Sequence, residues 1–395
     1  MAQVSALETA GSEERPTPHL LAGPPCPMAC AALDEKLGRE SSASTAAPSC
    51  QHETEETFLF ESEGSVFGGS DASSDEAPVL ASRELLDAAF SVDDVQSWQL
   101  ASMRMERTLH SSPSSGGRVD HMVSGVTGEH VAVKTKPGDW ICDDQTDIRC
   151  TAFLASVGFP YVCPILGVYS SEGYTHVVTE LAIHGDLFQW STACKEEPGP
   201  VREALVLPLA VQVMDAVRRL HDLSVVHGNI CAENFLLSRW AGEDELRVEL
   251  IDFGRSSTER FLRGGAGGKP SYQAPEAHSG RVIDGFLADS FAVGVVLYSM
   301  LMQEYPWRST RPGADKAFEF FQRHGFRTFA ARRKCFNQSR TVAQSMSEPA
   351  MQLLQALLCT NPSERSMLAH RGGLDGLSYT SIWQMPWLHA HPCGR

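Results

Sequence analysis

The sequence predicts an α+β chain of two lobes, a small β-rich lobe followed by a larger α-helical one. Three observations lead there. Short β-branched runs come early: HVAVK at 130–134, ILGVY at 165–169 and THVVTEL at 175–181. Long helical patterns come late, above all Val206 to His221 and Ala288 to Met302. With 395 residues, 42% apolar and 21% charged, the chain has the length for one large domain or two ordinary ones and the balance of a folded protein.

Residues 1–78 are rich in Ala, Ser, Pro, Gly and Glu, with stretches such as SSASTAAPS and GGSDASSDEAP that keep no apolar period. They are expected to be a disordered, acidic, low-complexity segment, because so little burial does not offset the entropy of ordering. Residues 1–100 hold 18 acidic and 4 basic side chains against 31 and 29 in the remainder, so the net charge of -16 belongs to this end. Nothing here neutralises phosphates along a strand, which argues against a nucleic-acid partner.

Over 79–104, Leu80, Leu85, Leu86, Ala89 and Phe90 recur at helical spacing, and Ser91, Asp93 and Asp94 are placed to open a second helix. A linker helix packing on the following domain is expected. That domain is expected over 105–390, the sheet lobe ending near 179 and the helical lobe starting near 180. The longest apolar run, Phe291 to Met302, has 12 residues, short of the roughly 20 a membrane span needs. The N-terminus lacks the basic-then-apolar pattern of a secretory signal. The 11 cysteines are scattered without a CxxC pair, which points to reduced thiols and a cytoplasmic location, with the nucleus as alternative. None of the 14 histidines has the H-x-x-x-H or H-E-x-x-H spacing of a metal site.

Four separated signals carry the chemistry. Val131-Ala132-Val133-Lys134 lies on a strand; His227-Gly228-Asn229-Ile230-Cys231-Ala232-Glu233-Asn234 follows a long helix; Ile251-Asp252-Phe253-Gly254 ends a short strand; Ala274-Pro275-Glu276 comes after. Each alone is weak, but the four in this order and spacing are specific. From about residue 105 onward the chain resembles the protein kinase family, with its bilobal fold. Asp289 looks like the buried aspartate of the central helix of the second lobe, and Arg365 like the arginine that pairs with Glu276. Met385-Pro386-Trp387 is similar to the closing turn, and Leu154, His227 and Phe253 to the apolar stack linking the lobes.

The resemblance implies a site for ATP and Mg2+. Lys134 would hold the α/β-phosphates, and Asp252 and Asn234 the magnesium ions, hard cations that want oxygen ligands. Thr179, Glu180 and Leu181 correspond to the gatekeeper and hinge that meet adenine, and Val119 and Ala132 to the residues covering its face. Of the glycine-rich loop, Ser112 to Gly117, only Gly117 matches a family glycine, and Pro113 removes a backbone donor.

The departures weigh as much. Alignment on Phe159-Pro160-Tyr161-Val162 puts Cys150 where the family has the glutamate that anchors the lysine. Asp147, one turn earlier on the same helix face, is the alternative carboxylate at longer reach. Asn229 stands in place of the catalytic aspartate, and an amide is no useful base. Cys231 replaces a lysine, and Gly228 the arginine that reads phosphorylation, so Ser256, Ser257 and Thr258 lack that partner. The loop H-G-N-I-C-A-E-N is similar to that of Janus kinase pseudokinase domains. Lys269 has two readings: a cation supplied near the γ-phosphate, or a solvent-facing side chain on a mobile loop. Arg332-Arg333-Lys334 reads as a solvated helix face, with a docking patch for acidic chain as the alternative. Two functions stay open: a pseudokinase that binds ATP and acts through protein partners, and a slow serine/threonine kinase. The partner or substrate protein is not specified by the sequence.

Overall fold

In the lobe that comes first, alternation decides the sheet. The computed structural model describes residues 80–97, 102–112, 116–138, 145–171, 173–239, 245–264, 267–336, 339–369 and 382–390. The expected disordered segment 1–78, and Pro113 to Ser115 of the glycine-rich loop, lie outside the described residues. Helix α1 (Arg83–Ala89) leads to a 3-10 turn at Val92–Asp94 and strand β1 (Gln96–Ser97). Strands β2 (Met103–Ser111), β3 (Arg118–Ser124) and β4 (His130–Pro137) precede helix α2 (Thr146–Ser156), and β5 (Ile165–Ser171) and β6 (Tyr174–Glu180) complete the lobe.

The six strands form one sheet in the order β1-β5-β6-β4-β3-β2, antiparallel except for the β1–β5 pair. On β4, Val131, Val133 and Thr135 are buried, while Ala132, Lys134 and Lys136 on the other face are half-buried. Met122, Val131, Val133 and Val178 form a small core on the first face. The second face is left to α2 and the cleft.

The second lobe is built on two long helices. Helices α3 (Leu187–Ala193) and α4 (Pro200–Asp222) precede a two-stranded sheet of β7 (Phe235–Ser238) and β8 (Arg247–Leu250). A second small sheet pairs β9 (Phe261–Arg263) with β10 (Val282–Asp284). Helix α5 (Gly285–Met302) is capped by Asp284, whose carboxylate accepts from the Phe286 and Leu287 amides. Its length and hydropathy match a membrane span, yet 89% of it is buried among the other helices, which makes it a core helix. A Cβ at Gly294 would lie 2.8 Å from Leu358, so glycine there allows helix-to-helix contact. Helices α6 (Lys316–Arg332), α7 (Val342–Ser345) and α8 (Glu348–Leu357) close the lobe. The final 3-10 turn, Pro386–His389, docks through Trp387, whose indole N–H donates to the buried Glu203 at 3.1 Å.

The architecture is the expected two-lobed α+β fold. Between 79 and 104 the first expected helix is present as α1, and a 3-10 turn stands in place of the second. Phe90 is extended, Ser91 N–H donates to the Asp94 carboxylate at 2.8 Å, and the segment turns into β1 instead of a second helix. Side chains that bond neighbouring amides offer the backbone a turn in place of a helix.

Candidate functional site

Lys134 projects from β4 onto the half-buried face, opposite Val119 on β3 and Val177 on β6. Its Nζ donates to Asp147 Oδ2 at 2.7 Å, with side-chain exposures of 31% and 14%. Asp147 Oδ1 accepts the Phe253 backbone N–H at 2.8 Å, so one carboxylate ties β4, α2 and the segment after β8. Burial works against both charges, yet the pair outweighs it. Lys134 is held above its ordinary value by Asp147 and, more weakly, Asp252. Asp147 is held below its own by Lys134 and the Phe253 amide.

This corrects the alignment-based placement. Asp147, rather than Cys150, faces Lys134; Cys150 is fully buried among Phe153, Leu154 and their neighbours, and burial pushes its thiol up to about 12.

The loop from His227 to Asn234 hangs from α5. Asp289 accepts the His227 and Gly228 amides at 2.8 and 3.0 Å and lies 3.1 Å from His221 Nε2. His227 is buried, its ring 5.1 Å from that of Phe253, and its Nδ1 accepts the Asn229 amide while Nε2 contacts Ile251 O. Burial, the largest influence, holds this imidazole below its ordinary pKa. Asn229 Nδ2 donates to Asp252 Oδ2 at 2.7 Å, and Asn234 Nδ2 donates to Asn229 O at 2.8 Å. A Cβ on Gly268 would lie 3.0 Å from Asn229 Oδ1, so that glycine lets the following segment close on the carboxamide.

The acids around the loop are engaged. Asp252 holds Asn229, Asp289 holds backbone amides, and Glu233 lies 2.5 Å from Lys269 Nζ and 3.4 Å from the Tyr305 hydroxyl. Lys269 is exposed, as the solvent-facing reading expects, and its ammonium is paired with the loop's own Glu233. Cys231 is buried, its thiol pushed up to about 12 chiefly by burial. In the basic cluster, Arg333 donates to Glu304 at 3.0 Å, so it joins helix ends as well as facing solvent.

The remaining sequence-derived positions collect along one cleft. Ala132 pairs with Thr179 in the β4–β6 ladder, and both are half-buried on the face of Lys134. Glu180 ends β6, and Leu181 begins the crossing to α3, where His184 N–H donates to Leu237 O. Gly117 O accepts the Ser112 amide at 2.8 Å, shaping a turn between β2 and β3.

These residues fit a magnesium nucleotide. Val119, Ala132 and Thr179 are half-buried side by side with Lys134 on neighbouring strands. Asp252 keeps Oδ1, and Asn234, its amino group spent on Asn229 O, keeps a carbonyl acceptor. Hard oxygen donors suit magnesium.

Glu276 accepts a bidentate pair from Arg365 at 2.6 and 2.9 Å, with Arg365 buried. Sequence reasoning did not find the Glu233–Lys269 pair, because the two lie 36 residues apart on loops without a period.

The family model described as "Protein kinase domain" matches residues 114–388. The chain is 28% identical over 197 residues to "NUAK family SNF1-like kinase 1" of Homo sapiens, covering 48% of this chain and 28% of that protein. It is 28% identical over 232 residues to "CBL-interacting protein kinase 4" of Oryza sativa subsp. japonica, covering 56% and 46%. With "Serine/threonine-protein kinase SBK1" of Danio rerio it shares 26% over 270 residues, covering 66% and 67%. The chain thus spans less than half the length of the first two of these relatives.

Proposed function

The chain belongs to the protein kinase family, and on that premise we propose that it binds ATP with magnesium and acts as a pseudokinase, through protein partners in signalling. The observation that carries this reading is Asn229, a carboxamide that donates to Asp252 where the reaction needs a carboxylate to accept a hydroxyl proton. Phosphoryl transfer has a loose transition state, so catalysis is positioning and charge neutralisation. Lys134, held by Asp147, would steady the α/β-phosphates; Asp252 and Asn234 would hold the metal; Val119, Ala132 and the Thr179–Leu181 strand end would enclose adenine. Magnesium would supply neutralisation of the phosphate oxygens. Asn229 stays neutral throughout and takes no proton. Loss of general-base help costs on the order of 10²–10⁴-fold in rate. A cytoplasmic or nuclear setting accompanies the proposal.

A second reading, a slow serine/threonine kinase, is favoured by the assembled Lys134–Asp147–Phe253 contact, which an active site also requires. Thermal unfolding with ATP and magnesium, alongside transfer from γ-labelled ATP to a generic protein acceptor, separates the two. Ligand at 100 times its dissociation constant is expected to add about 2.7 kcal/mol, lost in Lys134→Ala, with transfer at background. No shift with nucleotide rejects the binding site. Robust transfer abolished by Lys134→Ala selects the slow kinase.

A further inference from the structure

Helix α2 carries Asp147, yet little within α2 fixes its place. It has 11 residues, and five of them, Ile148, Cys150, Thr151, Phe153 and Leu154, are buried against the rest of the molecule. Helices this short are marginal alone and take their position from what packs on them. An aspartate is also one methylene shorter than the glutamate it replaces, so a small shift of α2 breaks the 2.7 Å contact with Lys134.

What packs on α2 from outside is residues 80–97. The Ala81 amide donates to Leu223 O at 2.8 Å, anchoring this segment just past the end of α4 in the second lobe. Ala81 and Leu86 then join the buried cluster of Cys150, Phe153 and Leu154. Asp87 forms an ion pair with Arg149, two residues from Asp147. Phe90 packs with Ile148, Val168 and Val177, wedged where α2 meets the sheet. The segment ends as β1, parallel to β5 at Tyr169 and Ser170. It therefore reaches from one lobe to the far edge of the other, across the back of the helix.

We propose that residues 80–97 are a strap that positions Asp147, with Phe90 and the Asp87–Arg149 pair setting the depth and rotation of α2. The strap acts through Asp147 on two groups, the Lys134 ammonium and the Phe253 amide. It deepens the nucleotide-binding reading, on which its functional consequence rests.

The test is amide hydrogen exchange of the full chain without nucleotide, read at Phe253, whose N–H is held by Asp147, and at Val293 to Leu297 in the core of α5. Asp87→Arg is expected to speed exchange at Phe253 by about tenfold, a contact-pair coupling of ordinary size, and to leave α5 unchanged. The swap Asp87→Arg with Arg149→Asp restores the native rate. Phe90→Leu, a milder core change, also speeds Phe253 exchange while α5 holds. Native exchange at Phe253 in both Asp87→Arg and Phe90→Leu overturns the proposal, as does a swap that fails to restore it. ATP affinity measured on the same samples follows the Phe253 rates if the site binds nucleotide. A native chain that binds none refutes the functional reading, and the exchange data still judge the strap.

Discussion

The two walls of the cleft treat a missing charge in opposite ways. On the upper wall the sequence alignment puts Cys150 at the family's glutamate position, and the structure instead sets Asp147, one turn earlier, 2.7 Å from Lys134. On the lower wall Asn229 stands where, on the proposed reading, the family has its catalytic carboxylate; it donates to Asp252, and Glu233 pairs with Lys269. A helix offers a second residue on the same face, so a charge can move along it. A loop pinned at His227, Gly228 and Asn229 by the Asp289 carboxylate and the His227 ring offers no equivalent position.

The comparison is sharpened first by a charge pair that serves the fold alone. Glu276→Gln leaves the buried Arg365 without its counter-charge, and breaking a buried pair from one side costs about 3–5 kcal/mol. Urea unfolding reads this loss; a loss comparable to a surface substitution would mean that the second lobe does not depend on the pair.

Asp147→Asn probes the upper wall. Bonds to a charged group contribute about 1.5–3 kcal/mol, so ATP affinity is expected to fall roughly ten- to a hundredfold. Its pH signature follows from the two shifts. Asp147, held low, contributes stability above the ordinary carboxylate pKa and loses it as pH falls through its depressed value. Lys134, held high, contributes below the ordinary lysine pKa and loses it as pH rises through its raised value. The stability difference between the native chain and Asp147→Asn is therefore flat from about pH 5 to about pH 9 and shrinks in stronger acid. A difference that grows on acidification would contradict the pair.

The smallest effect is expected at Lys269, whose side chain is 46% exposed beside Glu233. Half-exposed pairs contribute about 0–1 kcal/mol, so Lys269→Ala should leave stability nearly unchanged, and ATP affinity too. A large fall in affinity would revive the idea of a compensating cation.

Much of this was legible in sequence because it rests on period or motif. The helices α4 and α5 followed from spacing, while Glu276 with Arg365 and Asp289 under the loop followed from the resemblance to the family's motifs. The β2 strand did not, since nearly every residue of Met103–Ser111 is exposed at the sheet edge and the alternation of Met103, Met105 and Leu109 is broken by Arg107. The break in α6 at Gly325, with φ 77°, was likewise unmarked. Asp147 was visible only as one of two positions, because choosing between a buried Cys150 and a carboxylate facing Lys134 requires the rotation of α2. That rotation is set by tertiary packing, including residues 80–97, and not by local propensity.

The most direct measurement is γ-phosphate transfer by the native chain and by Asn229→Asp, side by side under saturating ATP and magnesium. Restoring the carboxylate is expected to raise the rate by about 10²–10⁴-fold from a native background near zero. Equal rates in the two chains, both abolished by Lys134→Ala, would show that another group does the work assigned to the missing acid.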